Sequence, residues 1–499
     1  MTPRRVVVVG YGMAGARLAD EVRRRDPDGA RVALTVVGAE PHAAYNRVLL
    51  SSMVAGSLTA DAVRLHGPGW ADRNRVDLSL GVTVVGIDRE TRKALLSDRS
   101  TVDYDVLVLA TGAEAWLPPI EGLTDGNGDL ARGVVAFRSL DDCRQILALA
   151  RPGAPAAILG GGLLGLETAR GLAGRGCRVT VVHPAGHLME RQLDPGAGRV
   201  LAASLAAHGI EFRLGVLATG YRAGDGLVLD DGSRVPADLV VVSAGVRADT
   251  GLATVAGLRV DHGILVDDSL RTNDPRIHAI GDCAQHTGTT AGLVQPAWEQ
   301  AAVLADLLTG ADLGSRYLGT PAVTKLKIRD IELAALGEVH AELDSPGAEV
   351  LRLEDPTRGH YAKLVLRDDR VVGAILLGAP DAAATITQLY DRGIPAPTDR
   401  LALLLGRAMP SGTPSSTPAE LPASAVVCRC NTVSKRQLVD AWQTGAQSVP
   451  ELVSDTRATT GCGSCHEVVC DLAEWLADQD TATEPIASKP AAFSTTPRS

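Results

Sequence analysis

The sequence predicts an α/β protein with two strand–turn–helix units, a β-rich domain and a small helical C-terminal domain. Three observations predict this fold. One glycine motif between a strand and a helix occurs twice, strand-like alternation follows the second copy, and four of the 8 cysteines lie in two close pairs near the C-terminus. A chain of 499 residues is long enough for about three domains with separate cores.

Composition narrows the function classes. Hydrophobic residues make up 45% of the chain and charged residues 22%, which is typical of a globular protein. The net charge of −10, without a basic block, argues against a nucleic-acid partner. No apolar run reaches the roughly 18 residues of a membrane span. The cysteines are few and clustered, which argues against a disulfide framework, so we expect a cytoplasmic protein.

The first strand–turn–helix unit is "RRVVVVGYGMAGARLADEVRRRD", in which Gly10, Gly12 and Gly15 follow a β-branched run. Gly10 allows the tight turn, Gly12 lets the backbone approach a pyrophosphate, and Gly15 lets the helix pack closely on the strand. The helix N-terminus would carry partial positive charge toward the phosphates. The next strand ends at Glu40, where a carboxylate can accept hydrogen bonds from ribose hydroxyls. These features predict a Rossmann-like dinucleotide site.

The second unit is "APAAILGGGLLGLETARGLAGRGCRVTVVHP", which carries Gly160, Gly162 and Gly165. Two such units imply two dinucleotides, or one dinucleotide and one flavin dinucleotide. The following strand ends at His183, where a carboxylate would favour NAD and an arginine NADP. A histidine leaves the choice between NADH and NADPH open.

Further segments end in turn residues that would meet these two sites. They are Thr111 and Gly112 after "YDVLVLA", Gly245 after "ADLVVVSA", Gly281 and Asp282 after "RIHAI", and a helix with Pro296 in its first turn. In this order the segments resemble the pyridine nucleotide-disulfide oxidoreductase superfamily over roughly residues 4–315. The resemblance implies FAD at the first site, with Thr111 and Gly112 beside it, and NAD(P)H at the second, with Gly245. It also implies that Gly281 and Asp282 hold the ribityl-phosphate part of FAD and that the helix at Pro296 points at the flavin.

The disulfide reductases of that superfamily keep a cysteine pair against the flavin. This sequence departs from them, because no cysteine precedes Cys143. The segments "YNRVLLS", "GGGLLGLE", "HLMERQLD" and "VTKLKI" resemble the large subunit of assimilatory nitrite reductases and the electron-transfer subunit of assimilatory nitrate reductases. Many members of the superfamily pair a lysine near the flavin with a glutamate of the second unit's helix. This resemblance implies Arg47, beside FAD, and Glu167, beside NAD(P)H, as the catalytic pair. Alternatively, Arg47 is an ordinary loop arginine.

Domain boundaries follow from these patterns. We predict a discontinuous FAD domain at 1–150 and 240–315, an NAD(P)H domain at 151–239 and a β-rich interface domain at 316–405. "YAKLVLRDDRVVGAILLG" predicts a hairpin in the interface domain. A Pro-, Ser- and Thr-rich stretch predicts a flexible linker at 406–425, before a domain at 426–475 and a disordered tail at 476–499.

The four paired cysteines are Cys428, Cys430, Cys462 and Cys465. Four thiolates fit either structural zinc or a [2Fe–2S] cluster. "CRCNTVSK" and "TRATTGCGSC", with the spacing between them, resemble the [2Fe–2S] domain of bacterioferritin-associated ferredoxins. That resemblance favours the cluster and assigns all four cysteines to it.

Together these predictions describe a flavoprotein that moves electrons from NADH or NADPH through FAD and a [2Fe–2S] cluster. A flavin can take an electron pair and release single electrons, which a cluster accepts. The resemblance implies the catalytic subunit of a nitrate or nitrite reductase as acceptor, and the chain lacks the cysteine pattern of a sirohaem domain. No nucleic-acid or membrane partner is expected, and a homo-oligomer is compatible with the sequence. The alternatives are a ferredoxin- or rubredoxin-type reductase, or a non-enzymatic redox- or iron-sensing docking module.

Overall fold

The computed structural model describes residues 2–290, 292–407, 421–461, 463 and 465–483. The chain divides into two compact units, Met1–Thr413 and Pro414–Ser499. None of the described helices is both long enough and apolar enough to cross a membrane.

Most strands of the larger unit precede residue 291. They are β1 (Arg4–Val9), β2 (Val32–Gly38), β3 (Val76–Leu80), β4 (Val84–Asp88), β5 (Lys93–Leu96), β6 (Thr101–Asp103), β7 (Val106–Leu109), β8 (Ala113–Ala115), β9 (Val134–Ala136), β10 (Pro155–Leu159), β11 (Arg178–His183), β12 (Ile210–Leu214), β13 (Ala218–Arg222), β14 (Gly226–Leu229), β15 (Arg234–Val235), β16 (Leu239–Val242), β17 (Val246–Ala248), β18 (Ile264–Val266), β19 (Ile277–Ala279), β20 (Ala284–His286) and β21 (Thr289–Thr290).

Helices alternate with these strands. They are α1 (Met13–Arg25), α2 (Leu50–Ala55), α3 (Trp70–Arg73), α4 (Leu140–Leu149), α5 (Leu163–Gly174), α6 (Pro195–Ala206), α7 (Gly251–Val255) and α8 (Val294–Thr309), with single 3₁₀ turns at Arg47–Leu49 and Gly281–Cys283. As predicted, Pro296 lies in the first turn of α8, where a missing N–H costs no helical hydrogen bond.

The first parallel sheet has the order β19-β7-β1-β2-β3. Its central strand β1 is a run of valines because both faces of the strand are buried. Val6 and Val8 pack on the side of α1 and α8, and Val7 and Val9 pack on the side of β4 and β5. The chain leaves β1 toward β2 and β3 and returns on the other side through β7. This reversal opens a crevice at the carboxyl end of β1, which is where ligands bind in such sheets.

The second parallel sheet repeats the plan in the order β12-β11-β10-β16-β9. The prediction of two Rossmann-like units is confirmed. Two predicted boundaries need correction, because β9 precedes residue 151 and β16 continues past residue 239, yet the two strands pair in this sheet. Sequence patterns locate strands but do not show which sheet each strand joins.

The β-rich domain is a five-stranded antiparallel sheet in the order β22-β23-β26-β25-β24, covered by two helices. Its elements are β22 (Val323–Ile328), β23 (Ile331–Gly337), β24 (Glu349–Asp355), a 3₁₀ turn (Pro356–Arg358), β25 (His360–Arg367), β26 (Arg370–Leu377), α9 (Pro380–Arg392) and α10 (Arg400–Leu404). The predicted hairpin is present as β25 and β26. Asp368 and Asp369 connect them with φ of 46° and 61°, as a two-residue hairpin turn requires.

The smaller unit is mostly helical, as predicted. It contains β27 (Val426–Cys428), β28 (Val433–Ser434), α11 (Lys435–Gln443), α12 (Val449–Thr456) and α13 (His466–Thr483). Ser434 and Gln437 form a reciprocal capping box at the start of α11.

Two predictions about the flanks of the smaller unit need correction. Helix α13 continues to Thr483, so the first part of the predicted tail is helical. Residues 421–425 of the predicted linker pack on α11, because the N–H groups of Lys435 and Arg436 donate to Ala425 and Ala423. Residues 408–420 and 484–499 lie outside the described residues.

Candidate cofactor sites

The first glycine-rich loop, Gly10–Gly15, connects β1 to α1 with the spacing that the sequence predicted. Gly10 has a φ of +110°, and a Cβ there would lie 2.2 Å from the carbonyl oxygen of Ala110. A Cβ on Gly15 would lie 2.0 Å from the carbonyl oxygen of Gly10. Gly12 is the N-cap of α1 and faces the guanidinium of Arg47, 3.8 Å from the position of a Cβ. The loop therefore brings bare backbone close to the crevice, as a pyrophosphate site needs.

Glu40 follows the end of β2, as predicted, and its carboxylate is held by two side chains. The Tyr45 hydroxyl donates to it at 2.6 Å, and Arg47 forms an ion pair with it. The Arg47 guanidinium also lies 5.3 Å from the centre of the Tyr45 ring. The Glu40 side chain is 32% exposed, so it is oriented but still accessible to a ribose.

Glu167 does not pair with Arg47, so the predicted pairing is wrong, whereas the catalytic roles of the two residues stay predictions. The Glu167 carboxylate accepts a hydrogen bond from the Ser51 hydroxyl at 2.5 Å. It also accepts one from the backbone N–H of Lys327 at 3.1 Å, and the Lys327 ammonium lies 3.2 Å away. Its partner is thus a lysine of the β-rich domain, on β22.

No sequence signal identified Lys327, which lies in the segment "VTKLKI". That strand carries two lysines, and only the fold shows that Lys325 is exposed whereas Lys327 is half-buried. The Lys327 ammonium also donates to the carbonyl of Val48, in the 3₁₀ turn that begins at Arg47. It therefore joins this turn, helix α5 and β22.

Gly281 and Asp282 form the 3₁₀ turn after β19, beside α1 and α8. Gly281 has a φ of +78°, and a Cβ there would lie 2.8 Å from the Cβ of Ala14. Its N–H donates to the Gln300 side chain at 2.7 Å. Asp282 accepts from Arg138 at 2.7 Å, a residue that sequence analysis did not identify. No local pattern distinguished Arg138, which lies just before the capping serine of α4.

The predicted residues Thr111 and Gly112 lie in the turn after β7. The Thr111 hydroxyl donates to the Asp249 carbonyl at 2.9 Å, and the Asp249 N–H donates to Gly112 at 3.0 Å. Gly245 has a φ of +120° and accepts from the N–H of Trp116 at 2.9 Å. The paired strands β8 and β17 thus connect the two parallel sheets.

The second glycine-rich loop, Gly160–Gly165, repeats the contacts of the first. A Cβ on Gly160 would lie 2.3 Å from the Ser243 carbonyl oxygen, and one on Gly165 would lie 2.1 Å from the Gly160 carbonyl oxygen. Among the described residues, no atom lies within 4 Å of a Cβ on Gly162. This loop leaves open space at Gly162, at the N-terminus of α5. His183 ends β11 and is buried, with its ring directed at Gly161.

Three of the four predicted cluster cysteines are described, and all three are buried. Cys428 ends β27, Cys430 lies in the next turn, and Cys465 immediately precedes α13. Cys462 lies outside the described residues. A hydrogen bond from the Cys465 thiol, with backbone N–H donors at Asn431 and Thr459, lowers the pKa of Cys428 to about 6.

Three residues near these cysteines have a left-handed backbone conformation. Thr432, Arg457 and Thr459 have φ of 53°, 61° and 69°, which is uncommon for residues other than glycine. The Asn431 amide approaches the sulfur of Cys428 at 3.6 Å. Converging N–H donors around sulfur fit a thiolate-ligated centre, because they stabilise negative charge.

Three family models match the chain. The first, described as pyridine nucleotide-disulphide oxidoreductase, matches residues 4–301. The chain belongs to this family. The rubredoxin NAD⁺ reductase C-terminal domain matches residues 322–394, and the BFD-like [2Fe–2S] binding domain matches residues 426–474.

Individual relatives match nearly all of the chain. The assimilatory nitrate reductase electron transfer subunit of Bacillus subtilis (strain 168) is 34% identical over 96% of this chain and 61% of its own length. Nitrite reductase [NAD(P)H] of the same organism is 35% identical over 96% of this chain and 58% of its own length. The chain therefore spans about three fifths of these relatives. In the covalent putidaredoxin reductase–putidaredoxin complex, a chain 26% identical gives a TM-score of 0.72, covering 80% of this chain and 96% of that one.

The matched domains agree with the predicted cofactors. The family models indicate binding of FAD and NAD(P)H in residues 4–301 and of a [2Fe–2S] cluster in residues 426–474. The predictions of FAD, NAD(P)H and the cluster are confirmed. The family indicates that the cysteines bind a [2Fe–2S] cluster and not structural zinc.

Proposed function

We propose that this protein passes electrons from NAD(P)H through FAD and its [2Fe–2S] cluster to a partner reductase of nitrate assimilation, with a nitrite reductase as the alternative partner. The observation that carries the proposal is the presence of both glycine-rich loops and the cysteine-rich unit in one chain. FAD bound at the first site would supply the chemistry that links a two-electron donor to the one-electron cluster. The names of the Bacillus subtilis relatives support the choice of partner.

At the first site, the glycine-rich loop would hold the FAD pyrophosphate and Glu40 its ribose. Tyr45 and Arg47 fix the Glu40 carboxylate, so Arg47 contributes both charge and orientation near Gly12. Arg138 would orient Asp282 toward the ribityl portion through their 2.7 Å ion pair. Gly281 would let the backbone approach this portion closely.

At the second site, Gly160, Gly162 and Gly165 would receive the NAD(P)H pyrophosphate. Glu167, one helical turn from the start of α5, would position Lys327. Because the Lys327 ammonium also donates to the Val48 carbonyl, it fixes the turn at Arg47–Leu49 against α5. We infer that Lys327 supplies the positive charge that the sequence analysis had assigned to Arg47.

In the smaller unit, Cys428, Cys430 and Cys465 would hold the cluster together with Cys462. The side chain of Asn431 and the N–H of Thr459 would stabilise charge on the sulfur of Cys428. A small iron–sulfur protein is a second candidate acceptor. The match of residues 322–394 to the rubredoxin reductase domain favours it.

Cys428→Ser tests the proposal, with Cys470→Ser as the matched control. Cys470 lies on α13 and contacts His466, outside the predicted ligand set. We expect Cys428→Ser to lose the cluster and electron delivery to the partner reductase, while NADH still reduces FAD. The measurements are iron content, anaerobic flavin bleaching and turnover with the partner.

The outcomes separate the alternatives. Cys470→Ser should retain both the cluster and partner turnover. Undiminished partner turnover in Cys428→Ser would contradict the relay. Turnover with rubredoxin or ferredoxin but not with nitrate or nitrite reductase would support the second candidate. Negligible NADH-driven turnover with every acceptor would indicate a sensing module.

A further inference from the structure

The second site has a histidine where a nucleotide-reading carboxylate usually ends the strand. His183 is 6% exposed at its side chain and lies between two partners. Its Nδ1 accepts a hydrogen bond from the N–H of Gly161 at 3.1 Å. Its Nε2 lies 2.9 Å from a carboxylate oxygen of Glu190. With Nδ1 accepting, the ring proton belongs on Nε2 and is donated to Glu190.

Position 161 has room only for a glycine beside this histidine. A Cβ on Gly161 would lie 2.8 Å from Cγ of His183 and 2.9 Å from Cδ2 of Leu188. The glycine-rich loop and the imidazole therefore pack directly against each other, and any side chain at 161 would displace the ring.

The segment after β11 folds back onto the same loop. The N–H of Met189 donates to the carbonyl of Gly161 at 3.0 Å, and Met189 holds a left-handed φ of 52°. Glu190 follows immediately, so its carboxylate is carried to the end of β11. The Glu190 side chain is 40% exposed, which leaves it accessible beyond its bond to His183.

We propose that Glu190, positioned by His183, is the carboxylate that reads the adenosine ribose and that it selects NADH over NADPH. This inference rests on the proposed electron transfer from NAD(P)H. A carboxylate here would accept hydrogen bonds from the 2′- and 3′-hydroxyls of NADH. It would repel the 2′-phosphate of NADPH. In the described part of the chain, no lysine or arginine forms an ion pair with Glu190, so its charge is not neutralised locally.

Anaerobic stopped-flow reduction of the FAD-loaded full chain by NADH and by NADPH tests the proposal. We expect wild type to favour NADH by about tenfold or more in apparent second-order rate constant. Glu190→Gln should reduce that preference by about fivefold or more, mainly by improving reduction by NADPH. Glutamine keeps the size of the side chain and can still accept from His183.

Arg191→Gln is the matched control, because it removes an exposed charge from the adjacent position. It should leave the preference unchanged. His183→Phe should weaken the preference as well, and adding Glu190→Gln to it should have little further effect if His183 acts through Glu190.

A preference for NADPH in wild type, or an unchanged ratio in Glu190→Gln, would overturn the assignment while leaving electron transfer intact. A loss of NADPH reduction in Arg191→Gln would also overturn it, because Arg191 would then be the group that reads the phosphate. Failure of both nucleotides to reduce FAD would overturn the proposed function together with the assignment.

Discussion

At the residue scale, two charged side chains of the candidate sites have partners other than those that the sequence predicted. Arg47 pairs with Glu40, seven positions away, and both lie at the first glycine-rich loop. Glu167 is buried and pairs with Lys327, which comes from another domain. Removing one member of a buried pair leaves an uncompensated charge, so the second pair should matter more for stability.

Lys327→Met should therefore destabilise the protein by about 3 kcal/mol, because the buried Glu167 carboxylate would lose its counter-charge. Lys325→Met, on the exposed face of the same strand, should change the free energy of unfolding by less than about 0.5 kcal/mol. Urea unfolding of the FAD-loaded protein measures both. Adding Glu167→Gln to Lys327→Met should recover part of the loss, and equal effects of the two lysine variants would contradict the pairing.

The glycine and acid positions could be predicted because their signals are local. Gly10, Gly12, Gly15 and Glu40 occur within one strand–turn–helix–strand segment, and the structure places them as the spacing implies. The Glu167–Lys327 pair could not be predicted, because it joins residues 160 positions apart in sequence and depends on how the β-rich domain packs. The family resemblance implied a positive charge beside Glu167 but assigned it to Arg47, whereas Lys327 supplies it.

At the element scale, each glycine-rich loop contains positions with different tasks. Gly165 packs helix α5 against the loop, since its Cβ would overlap the Gly160 carbonyl. Gly162 faces open space at the N-terminus of the same helix. The first task belongs to folding and the second to binding. Substitutions at the two positions should therefore affect different properties, thermal stability at Gly165 and nucleotide binding at Gly162.

Gly162→Ala should fold with its FAD and a near-normal melting temperature, because the added methyl meets open space. It should nevertheless weaken the binding of the pyridine nucleotide, whose pyrophosphate we place at this position. Gly165→Ala should lower the melting temperature by several degrees, because a methyl 2.1 Å from a backbone oxygen forces helix and strand apart. Thermal unfolding and the concentration dependence of flavin reduction by NADH report the two effects. A larger loss of stability in Gly162→Ala than in Gly165→Ala would contradict this division.

At the scale of the whole molecule, fold class and domain types followed from the sequence, whereas domain limits did not. Strand β9 joins the second sheet although it precedes the second glycine-rich loop, and helix α13 continues into residues predicted to be disordered. Sheet membership and the end of a terminal helix depend on tertiary packing, which no local pattern records. The proposed electron relay between flavin and cluster is likewise a property of the whole chain.

An anaerobic NADH titration of the full chain, followed by optical absorbance and low-temperature electron paramagnetic resonance, is the direct test of this relay. We expect the flavin to bleach and the signal of a reduced [2Fe–2S] cluster then to grow, whereas Cys428→Ser should show bleaching alone. Dithionite provides the control, because it reduces the cluster without the nucleotide. A cluster that gives its signal with dithionite but stays oxidised when NADH has bleached the flavin would contradict the relay.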